Sequence, residues 1–123
     1  MRIAVLAAGL SALALAGTGI GIAAAEPATA VRDCAGASRT EPGEIVLTCA
    51  DGNSAVRDLH WVHWGSERAE GTGTAEIATC EPDCATGGVR ARPVRITLDT
   101  PRDGVFTRAV LDGRDSYELP ANR

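Results

Sequence analysis

Lysine is absent from this sequence of 123 residues, so its positive charge comes from 12 arginines set against 16 aspartates and glutamates. The net charge at pH 7 is −4, and the arginines are interspersed with acidic residues instead of being clustered. A protein that follows a phosphate backbone needs a concentrated basic surface. The sequence therefore argues against nucleic acid as a partner.

Nucleotide-binding and helical signatures are also missing. The glycine-rich segment at residues 71–74 lacks the Gly-Lys-Ser/Thr ending of a phosphate-binding loop, so no cofactor is expected. After the first 25 residues, no segment shows helical spacing of apolar residues over three turns. These absences favour an all-β fold.

The N-terminus carries an apolar run. A positively charged start precedes an uncharged stretch at residues 3–16, and small residues lead up to Ala25. This pattern is typical of a secretory signal peptide, predicted here as residues 1–25. Cleavage after Ala30 and a retained membrane anchor are the alternatives, although the run is short for a spanning helix of about 20 residues. We expect a secreted, extracellular chain with no membrane contact after cleavage.

All four cysteines follow this segment: Cys34, Cys49, Cys80 and Cys84. An even number of cysteines in an exported chain indicates disulfides. Four cysteines allow three connectivities. The local one, which pairs Cys34 with Cys49 and Cys80 with Cys84, is favoured over the other two because Glu-Pro-Asp inside the second pair forms turns readily. The alternative is a metal site that combines thiolates with the two histidines, but only the second pair has the spacing that structural zinc prefers. We predict two disulfides and no metal.

Alternating apolar residues separated by turn residues predict an antiparallel β-sandwich or small open barrel, stapled by the disulfides. The expected strands are residues 44–49, 54–64, 71–80, 90–99 and 105–111, with a possible sixth near Tyr117. A flexible lead-in at 26–43 would precede the β domain at 44–113, and a tail at 114–123 would follow it. The expected core residues are Ile45, Leu47, Leu59, Trp61, Ile77, Val94, Ile96, Leu98, Phe106 and Val110.

Two tryptophans three residues apart lie on the second predicted strand. Strict alternation places Trp61 inside beside Leu59, and Trp64 on the opposite face beside His60. An exposed indole is a common anchor for a protein or sugar ligand, so Trp64 and His60 are the candidate ligand-binding residues. The alternative is that the lead-in or the tail covers Trp64.

Catalytic patterns are weak, and no catalytic residue is predicted. His60 and His63 are the only histidines, and the nearest serines, Ser54 and Ser66, do not lie in a Gly-x-Ser-x-Gly motif. Carboxylate pairs for glycoside cleavage are available in principle, but a domain of 123 − 25 = 98 residues seldom shapes a long cleft. We therefore expect a protein that is not an enzyme.

Several short motifs run from residue 44 to residue 110: LTCADGN at 47–53, LHW at 59–61, WG at 64–65, GTGT at 71–74, CEPDCA at 80–85, PV at 93–94 and FTR at 106–108. In these motifs the chain resembles a family of small secreted actinobacterial proteins of unknown function. The resemblance implies export and a disulfide-bearing β domain, with no established activity.

The chain also resembles small secreted subtilisin inhibitors in size, cysteine count and the strand at 46–50. In those inhibitors the second disulfide brackets an exposed reactive loop, which has no equivalent in this sequence. The expected function is thus an extracellular or cell-surface binding module. The alternative is a serine-protease inhibitor that presents an extended loop such as residues 81–95.

Overall fold

A computed structural model gives the fold of residues 28–121, and the predicted signal peptide lies outside the described residues. The described part is all-β and contains no helix, which confirms the predicted fold class. No helix within this range has the length and hydropathy that crossing a membrane requires.

One antiparallel sheet of six strands contains most of the described chain. Its strands follow one another in sequence order, and the sheet curls into a half-barrel. A two-stranded sheet, β1 with β2, lies before it in sequence. The strands are β1 (Val31–Arg32), β2 (Ser38–Arg39), β3 (Ile45–Val46), β4 (Ser54–Trp64), β5 (Ala69–Ala78), β6 (Val89–Arg102), β7 (Val105–Leu111) and β8 (Asp115–Glu118). The predicted strand at 44–49 is therefore shorter than expected.

The β6–β7 connection is a two-residue turn. Asp103 and Gly104 have φ values of 50° and 80°, as a type I′ turn requires at both central positions. Such turns match the twist of the strands that they join. Because Arg102 still pairs with Val105, the hairpin loop is shorter than the predicted loop at 101–104.

Strand β4 contains two irregularities that change which side chains face the core. Asp58 and Leu59 together lie opposite the single residue Gly73, and Asp58 adopts a positive φ of 53°. Further along β4, Val62 has no partner on β5. Each extra residue is a β-bulge, which shifts the inward–outward alternation by one position.

Two glycines of β5 make room for these bulges. A Cβ atom on Gly71 would lie 2.7 Å from the carbonyl oxygen of His60, and one on Gly73 would lie 2.8 Å from that of Arg57. Real Cβ atoms essentially never approach backbone oxygens so closely. The Gly-x-Gly spacing of β5 therefore allows β4 to bulge and still remain paired.

The core lies on the inner face of the curled sheet. Phe106, Ile96, Leu98 and Leu111 are completely buried there. The predicted core residues Ile45, Leu47, Leu59 and Val94 are also buried, while Trp61 and Ile77 are partly buried against the same cluster.

The prediction for Val110 is wrong. Its neighbours Ala109 and Leu111 are fully buried in the core cluster, whereas Val110 is only partly buried and does not belong to the cluster. Neighbouring residues of a strand face opposite sides of the sheet. Ala109 therefore takes the inward position although it is small, and the larger apolar side chain of Val110 does not.

Residues 28–43, expected to form a flexible lead-in, contribute β1, β2 and buried side chains at Thr29 and Val31. Ala30 forms a parallel bridge with Val105. The Ala30 N–H donates to the Gly104 carbonyl oxygen at 2.9 Å, and the Phe106 N–H donates to the Ala30 carbonyl oxygen at 2.9 Å. At the other end of the chain, β8 pairs with β7 around the position predicted for a last short strand.

Both predicted disulfides are confirmed. Cys34 is bonded to Cys49 and Cys80 to Cys84, with sequence separations of 15 and 4. All four sulfurs are thereby oxidised, which removes thiolates as metal ligands.

Candidate functional site

The two tryptophans lie together on the core side of the sheet. Their ring centroids are 4.8 Å apart with an interplanar angle of 87°, and Trp64 makes a similar edge contact with Phe106 at 5.6 Å. The prediction that Trp61 and Trp64 point to opposite faces is wrong. The unpaired Val62 between them adds one residue to the strand and brings both indoles to the same side.

Both indole N–H groups bind the polypeptide before β4. Trp64 Nε1 donates to the Thr29 carbonyl oxygen and Trp61 Nε1 donates to that of Pro42, each at 2.8 Å. The lead-in therefore contacts Trp64, in the direction of the alternative in which it covers this side chain. Trp64 still lines an open cleft of about 990 Å³ beside the β6–β7 turn, but its polar atom already has a partner.

His60 lies on the outer face, at one end of a row that crosses three strands. It pairs across the sheet with Thr72, and Thr72 pairs with Arg95 on β6. The row forms part of an open groove of about 880 Å³, called here the outer groove, whose polar side chains include Asp58, His60, Thr72, Thr74, Arg95 and Thr97.

Five polar side chains of the outer groove have no partner among residues 28–121. The side chains of His60, Thr72, Thr74, Arg95 and Thr97 form no hydrogen bond or ion pair with other residues of this range. The backbone N–H of Arg95, by contrast, is bonded to Asp112. Their unused donors and acceptors thus remain free for a ligand.

A smaller depression of about 320 Å³ continues the outer groove toward Val62 and shares Glu70, Thr72 and Arg95 with it. Val62 is 77% exposed because it projects from the second bulge. The combined surface therefore has an apolar end at Val62 and a polar middle at Thr72.

A fixed negative charge marks the opposite end of the outer groove. Asp112 accepts the backbone N–H of Arg95 at 2.9 Å and also pairs with the Arg92 side chain. The Arg95 N–H, more than the Arg92 side chain, lowers the pKa of Asp112 below its ordinary value of 3.8. Asp112 is therefore ionised over the physiological range, while the Arg95 side chain supplies a cation nearby.

No family model, curated protein or solved structure matches the chain. The resemblance to small secreted actinobacterial proteins stays a prediction.

The predicted pair His60 and Trp64 is not brought together. His60 lines the outer groove, and Trp64 lines the separate cleft on the core side. Sequence reasoning missed Thr72 and Arg95 as neighbours of His60. Their outward positions followed from alternation, but cross-strand register was needed to bring them into one row.

The residues considered for hydrolysis do not form a catalytic arrangement in the described range. Neither the Ser54 nor the Ser66 hydroxyl hydrogen bonds to a histidine, and Ser54 is buried at 8% exposure. No group of three or more His, Cys, Asp or Glu side chains within residues 28–121 is placed to hold a metal ion.

Proposed function

We propose that this protein is a secreted, non-enzymatic binding module that holds an elongated polar ligand of the cell surface in its outer groove. The observation that carries the proposal is the set of five groove side chains without partners among the described residues. The N-terminal signal pattern and the two disulfides support a location outside the cell.

The chemistry of the outer groove suits a hydroxyl-rich chain such as a cell-wall polysaccharide. Thr72, Thr74 and Thr97 offer hydroxyls that both donate and accept, and Arg95 offers a planar set of donors. An open groove across several strands accommodates a ligand longer than itself. Both indoles lie on the core side, so recognition here would depend on hydrogen bonds instead of aromatic stacking.

The test is binding of the mature protein to purified cell-wall polysaccharide, measured by co-sedimentation and by calorimetry with soluble fragments. The variant His60→Ala combined with Arg95→Ala should weaken binding about tenfold or more, since two hydrogen-bonding groups are lost. His63→Ala is the matched control, because His63 lies on the same strand but does not line the outer groove. No binding by the wild type, or equal loss in the control, would overturn the proposal.

A serine-protease inhibitor is the second candidate, favoured by the loop between β5 and β6. Cys80 to Thr86 are exposed, and Asp83 restrains the loop by accepting the Thr86 N–H at 2.8 Å and its hydroxyl at 2.9 Å. An exposed, restrained loop is a suitable shape for entering a protease cleft. Residues 89–95 of the predicted inhibitory segment belong to β6, which leaves the disulfide loop as the presenting element.

Titration against subtilisin-like and trypsin-like proteases tests this candidate. Inhibition that is lost in a Cys80→Ser/Cys84→Ser variant but kept in His60→Ala would support it. Full protease activity at micromolar concentrations of the wild-type protein would eliminate it.

A further inference from the structure

One edge of β6 has no neighbouring strand over its first half. Residues 89–94 pair with β5 on one side, whereas pairing with β7 on the other side begins only at Ile96. The polypeptide turns away after β7, so no strand within residues 28–121 covers this edge.

The hydrogen bonds of Arg95 show which backbone groups face the open edge. Its N–H donates to Asp112 Oδ1 at 2.9 Å, and its carbonyl oxygen accepts the Asp112 N–H at 2.8 Å, both on the β7 side. Residues two apart in a strand point their backbone groups the same way. Ala91 and Val89 therefore present both N–H and C=O to the open edge, and Pro93 presents only C=O.

This edge is accessible to a partner. Every residue from 89 to 93 is exposed, and Val89 is 63% exposed. An unpaired strand edge is a template for pairing with another chain, which proteins block with proline and charge. Pro93 blocks the inner end of the edge, but Val89 and Ala91 keep their donors.

Two arginines, Arg90 and Arg92, lie along this edge, in a protein with a net charge of −4. Arg90 makes no ion pair with any described residue. Arg92 is shared between Asp112 and Asp115. Because Asp112 and Asp115 neutralise Arg92, Arg90 is the cation that a partner would meet, and it favours an acidic partner.

We propose that the open edge of β6 at residues 89–92 binds an extended acidic peptide segment of another protein as an added strand. Backbone pairing at Val89 and Ala91 would give affinity, and Arg90 would give the charge preference. A second copy of this chain is disfavoured, because antiparallel pairing of two β6 edges would bring arginines against arginines. The site adjoins the outer groove at Pro93 and Asp112, but residues 89–92 do not line that groove, and the proposal does not depend on the function proposed for it.

The test uses fluorescein-labelled ten-residue peptides with alternating Glu and Val, or alternating Lys and Val, and measures fluorescence anisotropy. The acidic peptide should bind at least about tenfold more tightly than the basic one. Ala91→Pro should weaken that binding about tenfold or more, because it removes a donor that faces the partner and leaves the β5–β6 ladder intact. Tryptophan fluorescence and melting temperature should show that the variant is folded.

The variant Arg90→Glu provides a second test, which does not require the fold to tolerate a new proline. It should reverse the preference from the acidic to the basic peptide, whereas His60→Ala combined with Arg95→Ala should retain the order of the two peptides. Equal affinity for the two peptides, or no response to Arg90→Glu, would overturn the proposal. Concentration-dependent dimerisation of the wild type that Ala91→Pro abolishes would instead assign the edge to a second copy and overturn it as well.

Discussion

The β5–β6 hairpin has two ends that are stabilised in different ways. Near the core, Gly71 pairs with the fully buried Ile96 and lies between the bulged β4 and the rest of the sheet. At the far end, Ala78 pairs with the exposed Val89, and a loop closed by a disulfide follows. One continuous ladder without a register shift joins the two ends.

This difference separates the residues that hold the fold from those that are free to bind. The core end depends on apolar burial and on close backbone approach, so substitutions there should change stability. The far end depends on a covalent link and local hydrogen bonds such as those of Asp83. Side chains there can change with little effect on stability.

Phe106→Ala should give the largest loss of stability. The phenyl ring is fully buried and contacts Trp64, and truncations of this kind cost about 3–5 kcal/mol. Phe106 lies on β7, against the core end of the hairpin. For comparison, Val89→Ala removes a smaller, exposed side chain at the far end and should change the free energy of unfolding by less than about 0.5 kcal/mol. Urea denaturation followed by tryptophan fluorescence measures both, and similar losses would remove the contrast between the two ends.

Gly73→Ala should have the next largest effect, about 1–3 kcal/mol, because the added methyl group overpacks the first bulge. It would lie 2.8 Å from the Arg57 carbonyl oxygen and 2.9 Å from Leu59 Cδ2. Gly88→Ala is the control at the far end, since no atom lies within 4 Å of its Cβ position. Thermal unfolding measures both variants. A melting temperature of Gly88→Ala equal to or lower than that of Gly73→Ala would contradict the role given to the β5 glycines.

The smallest effect concerns acid stability. Arg108 donates two hydrogen bonds of 2.7 Å to Asp99, and this side-chain interaction lowers the pKa of Asp99 below its ordinary value of 3.8. A lowered pKa in the folded state adds stability above about pH 4 that disappears as the pH falls through the folded-state pKa.

Asp99→Asn should remove that contribution, which is under about 1 kcal/mol for so accessible a pair, and make the loss of stability between pH 5 and pH 2 shallower. Asp112→Asn, near the open edge, should change the profile less, because its carboxylate is 37% exposed against 22% for Asp99. Melting temperatures across this pH range measure both variants. Identical profiles for the wild type and Asp99→Asn would contradict the prediction.

Alternation predicted most of the sheet because it depends on local sequence. The interval 105–111 was predicted as a strand and is β7, and the inward positions of Ile96 and Leu98 follow from the same pattern. The bulges of β4 were not predicted, since a bulge adds a residue without changing composition. The available signals were the two glycines of β5 and an aspartate at position 58, which tolerates a positive φ.

The candidate site was predicted only in part. His60 was placed correctly on the outer face. Trp64 was wrongly assigned to the same face, because strict alternation was assumed to continue through Val62. Trp64 contacts Thr29 and Phe106, which are 35 and 42 positions away in sequence. Local patterns carry no information about such contacts.

The bridge between Ala30 and Val105 limits how far the N-terminus can be trimmed. A peptidase that cuts after Ala30 would remove the oxygen that accepts the Trp64 indole proton and would break both backbone bonds of Ala30. A cut after Ala25 leaves all three bonds in place. A recombinant chain for ligand studies should therefore begin at Glu26, because one beginning at Val31 would expose the edge of the aromatic cluster to water.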